Sequence, residues 1–228
     1  MIDRKNTGYK CLAGPLACIA ASVYLLLTGP VRTGFAEDTK ILTPNTPFIE
    51  NILESPQREQ WQQPDRVIRS LGLKKGDAVA DVGAGSGYFS FRLADLVGSN
   101  GKVYAADIDD EMLNFMRGKM ENSSITNITL VKSSMSDSNL PVACCNNILM
   151  VNTFHELAEP LQFMRNLRKS LKKDGSVAII NWNKNSKAGP LYVPEPEILN
   201  LMKQAGFRFV GSENFLKKQF FLKFKPRT

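Results

Sequence analysis

From residue 64 onward the chain alternates between two hydrophobic rhythms. Short apolar runs, AVADVG (78–83), KVYAADI (102–108), ITLVKSS (128–134), NNILMVNTF (146–154) and SVAIINW (176–182), have the length and composition of buried strands. Between them the apolar residues recur every three to four positions. YFSFRLADLVG, DEMLNFMRGKMEN and PEPEILNLMKQAGF predict helices, as does PDRVIRSLGL with Val67, Ile68 and Leu71 on one side. PLQFMRNLRKSLKKDG reads as one amphipathic helix ended by Gly175, and FRFVGS and QFFLKF as a terminal antiparallel pair. Phe207, Phe209, Phe215, Phe220 and Phe221 are then expected in the core of those last strands. Strands alternating with helices predict an α/β fold: a mostly parallel sheet covered by helices on both faces. Ligands of such sheets bind beyond the carboxyl ends of the strands, near the switch in strand order.

Before residue 64 the pattern changes. Residues 37–63 are polar and dotted with proline (LTPNTPFIENILESPQREQ), and are expected to form an arm or short helix lying on the domain of residues 64–228. Residues 1–36 differ again. Arg4, Lys5 and Lys10 precede an uncharged run from Cys11 to Pro30, and the small residues Gly34 and Ala36 stand just before Glu37. That order describes a secretory signal cleaved after Ala36. As an uncleaved anchor the run is long enough to span a bilayer, but Gly14, Pro15, Gly29 and Pro30 make it a poor permanent helix. Both alternatives place the domain outside the cytoplasm, free in the periplasm or held at the inner membrane facing it.

Composition narrows the partners. Net charge over 228 residues is +7, and four of the 29 basic residues lie in the first 36 positions. Many of the others lie in RNLRKSLKKDG and LKKQFFLKFKPR, where solvated faces account for them. Charge therefore gives little reason to expect nucleic acid, and membrane contact is expected only through an uncleaved leader. Two of four cysteines are in the leader, and Cys144 and Cys145 are adjacent, a spacing that seldom closes into an ordinary disulfide. With one histidine, His155, no metal site is expected.

Candidate chemistry begins at ADVGAGSGYFS (80–90). Glycines 83, 85 and 87 follow a strand and open a helix, the arrangement of a ligand loop in which backbone approaches a bound group closely. Asp107 ends the second strand, where an acid can accept hydrogen bonds from both hydroxyls of a ribose. These two features fit a dinucleotide as well as other adenosine ligands. The loop is GxGxG, however, and the position of a third dinucleotide-loop glycine is Tyr88, which disfavours a nicotinamide-dependent oxidoreductase.

Together, VADVGAGSGYFS, YAADIDDEML, NLRKSLKKDGSVAIINW and the final AGF with QFFLKF resemble the class I S-adenosylmethionine (SAM)-dependent methyltransferases, from about Trp61 to Phe224. REQWQQPDRVIRSLGLKKGD, MVNTFHEL and NFLKKQFFLKF are similar to a bacterial subgroup of small methyltransferases, many with export signals. The resemblance implies a Rossmann-like sheet of seven strands with an antiparallel C-terminal strand, and SAM as cofactor. It also implies that Asp81, Gly83, Gly85 and Gly87 cradle the methionine end, that Asp107 holds the ribose and that Ile108 packs on the adenine. Ser136 and Asp137 fall where the family has an acid for the adenine amino group, and the same resemblance implies that Asn152 faces the transferable methyl group. The fourth-strand motif is VNTF, unlike the Asn/Asp-Pro-Pro-Tyr of amide and nucleobase amine methyltransferases. Beside it, His155 followed by Glu156 reads either as a general base oriented by a carboxylate or as a loop residue that caps backbone. Trp61, Gln62 and Tyr88 are placed to close over the cofactor or simply to pack. The acceptor, a small molecule or an exposed group on a larger one, is expected between the 37–64 arm and NKNSKAGPLYVP. The alternative is an exported SAM-binding protein without turnover.

Overall fold

The computed structural model describes residues 49–186 and 191–227. The expected leader, residues 1–36, lies outside the described residues, as does the arm before residue 49. The described part of the arm is a single π-helical turn (Ile49–Leu53) followed by the short helix α1 (Arg58–Trp61). The domain then runs α2 (Pro64–Ser70), β1 (Ala78–Val82), α3 (Tyr88–Val97), β2 (Lys102–Asp107), α4 (Asp110–Glu121), β3 (Ile128–Lys132) and β4 (Cys145–Val151). After it come α5 (Pro160–Lys169), β5 (Leu171–Trp182), α6 (Glu195–Gln204), β6 (Phe207–Glu213) and β7 (Gln219–Pro226).

The seven strands form one sheet in the order β3-β2-β1-β4-β5-β7-β6. β3, β2, β1, β4 and β5 pair in parallel, and β7 is antiparallel to both β5 and β6. This is the expected fold class, with one addition: β7 inserts between β5 and β6. The chain order reverses at β1, which lies between β2 and β4. A ligand crevice therefore opens at its carboxyl end.

Alternation along each strand feeds two cores. Ala80, Ile148, Met150 and Ile179 face Phe163 and Met164 of α5 and Met202 of α6. Val79, Val103, Leu149 and Ile180 face Val67 of α2, Leu93 of α3 and Met116 of α4. Both faces of the central strands are thus dry, which is why they read as unbroken apolar runs. α4 starts where the Asp109 carboxylate accepts from Glu111 N at 2.8 Å, with Asp110 and Glu111 in its first turn.

Two expectations are corrected. The helix beginning at Pro160 ends at Lys169, not at Gly175, and the chain enters β5 at Leu171. Leu171 is buried opposite Cys145, and the register then shifts so that Asn147 faces Ser176. The residues between bulge out, and Gly175 lies in that bulge: a Cβ there would come within 3.0 Å of Leu171 and 3.1 Å of the Asn146 carbonyl. Glycine is required for packing space rather than as a helix stop. Phe209 is 46% exposed and lies outside the core, because β6 is an edge strand with only one face covered. Phe207, Phe220 and Phe221 are buried as expected. Leu171→Ala should cost about 2–4 kcal/mol in urea unfolding. Lys172→Ala and Lys173→Ala should each stay within about 0.5 kcal/mol, since both residues are exposed.

Candidate active site

The ligand loop is held by close approach. Gly83 leaves β1 with φ 73°, and a Cβ on it would lie 2.1 Å from Thr153 Oγ1, just past β4. Its N–H and that of Ala84 donate to the Ala106 carbonyl of β2 at 2.8 and 3.1 Å. Gly85 N donates to Asp107 Oδ2 at 2.7 Å, and Gly87 stands at the N-cap of α3. The loop therefore joins the ends of β1, β2 and β4. All three glycines fall where expected.

Asp81 and Asp107 are both buried beside this loop. Asp81 accepts from Ser90 Oγ at 2.7 Å, and burial pushes its carboxyl up from 3.8 to about 6. Asp107 accepts from Gly85 N and, at 2.9 Å, from Asp109 N. Burial again dominates and raises its pKa. Neither carboxylate has an ion-pair partner among the described residues. Ile108 follows at 37% exposure, an apolar side chain left open at the strand end. The Ser136 carbonyl accepts from Asn166 Nδ2 at 3.0 Å. The Asp137 carboxylate accepts from Asn139 N at 2.9 Å inside its own turn, and no hydrogen bond links it to the loop or to Asp107.

Over the loop lies the arm. Glu59 accepts from Tyr88 Oη at 2.9 Å and pairs with Arg92, and Glu54 pairs with Lys119 at 3.0 Å. Arg58 stacks on Tyr88, its guanidinium carbon 3.7 Å from the ring centroid, and donates to the Leu53 carbonyl and, at 2.7 Å, to Gln62 Oε1. Burial brings Arg58 down to about 10, which leaves it charged at neutral pH. No carboxylate pairs with it among the described residues. Tyr88 packs beneath Arg58, and Gln62 is fully buried.

At the ends of β4 and β5 a second cluster forms. Asn152 adopts φ 55°, and its Oδ1 accepts from Gln219 Nε2 at 2.7 Å. His155 Nδ1 donates to Asn181 Oδ1 at 2.8 Å. The neutral imidazole therefore carries its lone pair on Nε2, 3.6 Å from Glu156 Oε1. Its hydrogen bond runs to the Asn181 side chain, with the Glu156 carboxylate on the other side of the ring. Trp61 stacks on Trp182 with centroids 5.3 Å apart, bringing the arm to the start of the expected acceptor loop, whose residues 187–190 lie outside the described ones. Arg58, Asn181 and Gln219 did not emerge from the sequence. Cys144 and Cys145 remain thiols at the opposite end of β4, with sulfurs 3.1 Å apart.

A family model described as a methyltransferase domain matches residues 73–213. A SAM-dependent methyltransferase from Aquifex aeolicus, a solved structure, is 32% identical, with TM-score 0.73 over 80% of this chain and 98% of that one. The chain belongs to the SAM-dependent methyltransferase family. A ubiquinone/menaquinone biosynthesis C-methyltransferase from Marinomonas is 26% identical over 165 residues, 72% of this chain and 61% of that protein. A demethylmenaquinone methyltransferase from Staphylococcus aureus is 23% identical over 189 residues, 75% of this chain and 76% of the relative.

The residues of this methyltransferase suit its cofactor. Two buried carboxylates, the half-buried Arg58 guanidinium and the buried Ser86 hydroxyl, which has no hydrogen-bond partner among the described residues, lie around a loop of backbone N–H groups. The zwitterionic amino-acid end and ribose diol of SAM match this set of opposite charges and donors.

Because folded Asp81 titrates near 6 rather than 3.8, the native state holds its proton more tightly than the unfolded chain. Its contribution to stability is fully present below about 4 and is lost as pH rises through about 6, and Asp107 acts in the same direction. Asp81→Asn should therefore be more stable than the parent at pH 8, by about 1–3 kcal/mol, and show a flatter dependence of urea midpoint on pH.

Proposed function

We propose that this methyltransferase moves a methyl group from SAM to a small-molecule acceptor, with His155 removing the acceptor's proton. The observation that carries this reading is the His155–Asn181 hydrogen bond, which puts the ring proton on Nδ1 and the lone pair on Nε2, just past the carboxyl end of β4. When bound, SAM supplies a methyl carbon activated by a sulfonium. The protein's own tasks are alignment and proton removal. Asp81 receives the amino group, Asp107 the ribose hydroxyls, Ile108 the adenine face, and Ser136 and Asp137 the adenine edge. Asn152 borders the methyl site. Glu156 Oε1, 3.6 Å from Nε2, stabilises the imidazolium once the proton arrives. The small-molecule class is supported by the two curated relatives, both named for quinone methylation.

The leader of residues 1–36 belongs to the same proposal: the domain is exported to the periplasm after cleavage behind Ala36. N-terminal sequencing of the cell-associated protein should begin at Glu37, and a start at Met1 would overturn it.

Titration calorimetry with SAM should give binding in the micromolar range that weakens at least about tenfold in Asp107→Ala. Affinity should rise as the pH is taken up through about 6, where Asp81 ionises and can hold the ammonium, and the rise should vanish in Asp81→Asn. No heat with SAM or with its demethylated product would sink the assignment. Transfer of labelled methyl should fall about 100-fold or more in His155→Ala, with SAM affinity unchanged. Equal rates would remove the histidine from the chemistry.

A further inference from the structure

Methyl transfer makes no use of the pair of thiols at the start of β4. Cys144 and Cys145 lie at the end of that strand away from Asn152 and His155. Successive side chains of an extended chain point to opposite faces, so neighbouring cysteines ordinarily hold their sulfurs apart. Here the sulfurs are 3.1 Å from each other. The backbone just before them turns. Ala143 takes φ 50°, a left-handed conformation that alanine seldom adopts, and its N–H donates to the Lys169 carbonyl at 2.9 Å. Cys145 N donates to the Ser170 carbonyl, also at 2.9 Å. The last residue of α5 and the one after it therefore pin the turn on which both sulfurs sit.

The two thiols are not equivalent. Cys145 is fully buried in the core with Leu167 and Leu171, and its hydrogen bond to Cys144 together with that burial keeps its proton in place. Cys144 is half-buried. Its pKa lies below the usual thiol value, because the Cys145 thiol donates to its thiolate and Lys172 and Lys102 add positive charge against the cost of burial. Reactive cysteines are accessible thiolates in electropositive surroundings, whereas buried thiols are inert. One sulfur of each kind is present here, and the two are in contact.

We propose that Cys144 and Cys145 form a thiol–disulfide exchange site, separate from methyl transfer, that takes a small disulfide as oxidant and closes into a labile vicinal disulfide. The Cys144 thiolate attacks one sulfur of the small disulfide. A mixed disulfide forms, the oxidant's own sulfur–sulfur bond breaks, and one thiolate leaves. That thiolate takes the Cys145 proton as the Cys145 sulfur attacks Cys144. The second half of the oxidant leaves and takes a proton from water. Two electrons have then passed from the cysteine pair to the small disulfide, which becomes two thiols. Ordinary disulfides join Cα atoms about 4.4–6.8 Å apart, but a peptide link holds neighbours at about 3.8 Å. The ring is therefore strained, and strained disulfides are readily reduced. The bond is a reversible modification rather than a staple.

The test uses the full chain carrying Cys11→Ser and Cys18→Ser, which leaves this pair as its only cysteines. The protein is equilibrated with mixtures of reduced and oxidised glutathione, quenched in acid, alkylated and digested with trypsin. Residues 133–165 form one tryptic peptide that holds both cysteines. Under oxidised glutathione, mass spectrometry should show this peptide lighter by two hydrogens, with neither glutathione nor alkyl groups attached. Reduced glutathione should return it to the doubly alkylated form. Two alkylated cysteines at the most oxidising ratio overturn the proposal. So do a glutathione adduct that persists, a link between two chains, or a closed ring that reduced glutathione does not reopen.

The order of attack has its own readout. Cys145→Ala should stop at a mixed disulfide on Cys144, and Cys144→Ala should gain glutathione at least about tenfold more slowly than Cys145→Ala. Equal rates in the two variants overturn the assignment of Cys144 as the attacking sulfur.

Discussion

The site depends on one contact that allows no side chain. Gly83 passes so close to Thr153 that a single carbon would fall 2.1 Å from its hydroxyl, and this draws the ends of β1 and β4 together. The Gly83 N–H bonds to β2, and the next glycine bonds to Asp107. Three parallel strands therefore end in register around one loop. Any residue other than glycine would spread them, moving Asp81, Asp107 and Asn152 apart together.

Charge burial supplies the site's chemical character. Among the described residues, Asp81 and Asp107 sit in the sheet's apolar end with hydrogen bonds but no ion-paired cation, and Arg58 lies over Tyr88 with hydrogen bonds but no ion-paired anion. Unpaired buried charge costs stability, and folded proteins keep it chiefly where a ligand returns the energy. The arm matters because it contributes the positive member. It is held by ordinary surface contacts: the Glu59 and Glu54 ion pairs and the Trp61–Trp182 stack. Exposed pairs of this kind contribute little each, so the arm's closure is supported by several weak contacts rather than one strong one.

Several parts of this arrangement were legible as local pattern. The apolar runs of β1 and β4 and the three-to-four spacing of Leu93, Ala94 and Val97 in α3 carry their own periodicity, because both sides of a central strand and one side of each helix must be dry. The glycine loop was legible for a related reason, since close approach restricts a position to glycine, and Asp107 because it stands where the resemblance places an acid at the end of β2. Periodicity failed at Lys169, where Leu171, Lys172 and Lys173 would continue a helix well. Pairing with Cys145 and the bulge at Gly175 overrode that preference. It failed also at Phe209, since nothing local marks a strand as the sheet's edge.

The sequence alone therefore determined the fold class and the position of the glycine loop, and it singled out the candidate histidine, all through constraints acting within a few residues. Tertiary structure decided what Asn152 presents. Gln219 lies 157 residues from Gln62 and 67 from Asn152, and their amides meet only because β7 inserts beside β5 while the arm folds back over the same end. An amide has no intrinsic direction in a sequence. It acquires one when a donor that cannot accept is packed against it, and only the folded chain brings Arg58 to that place.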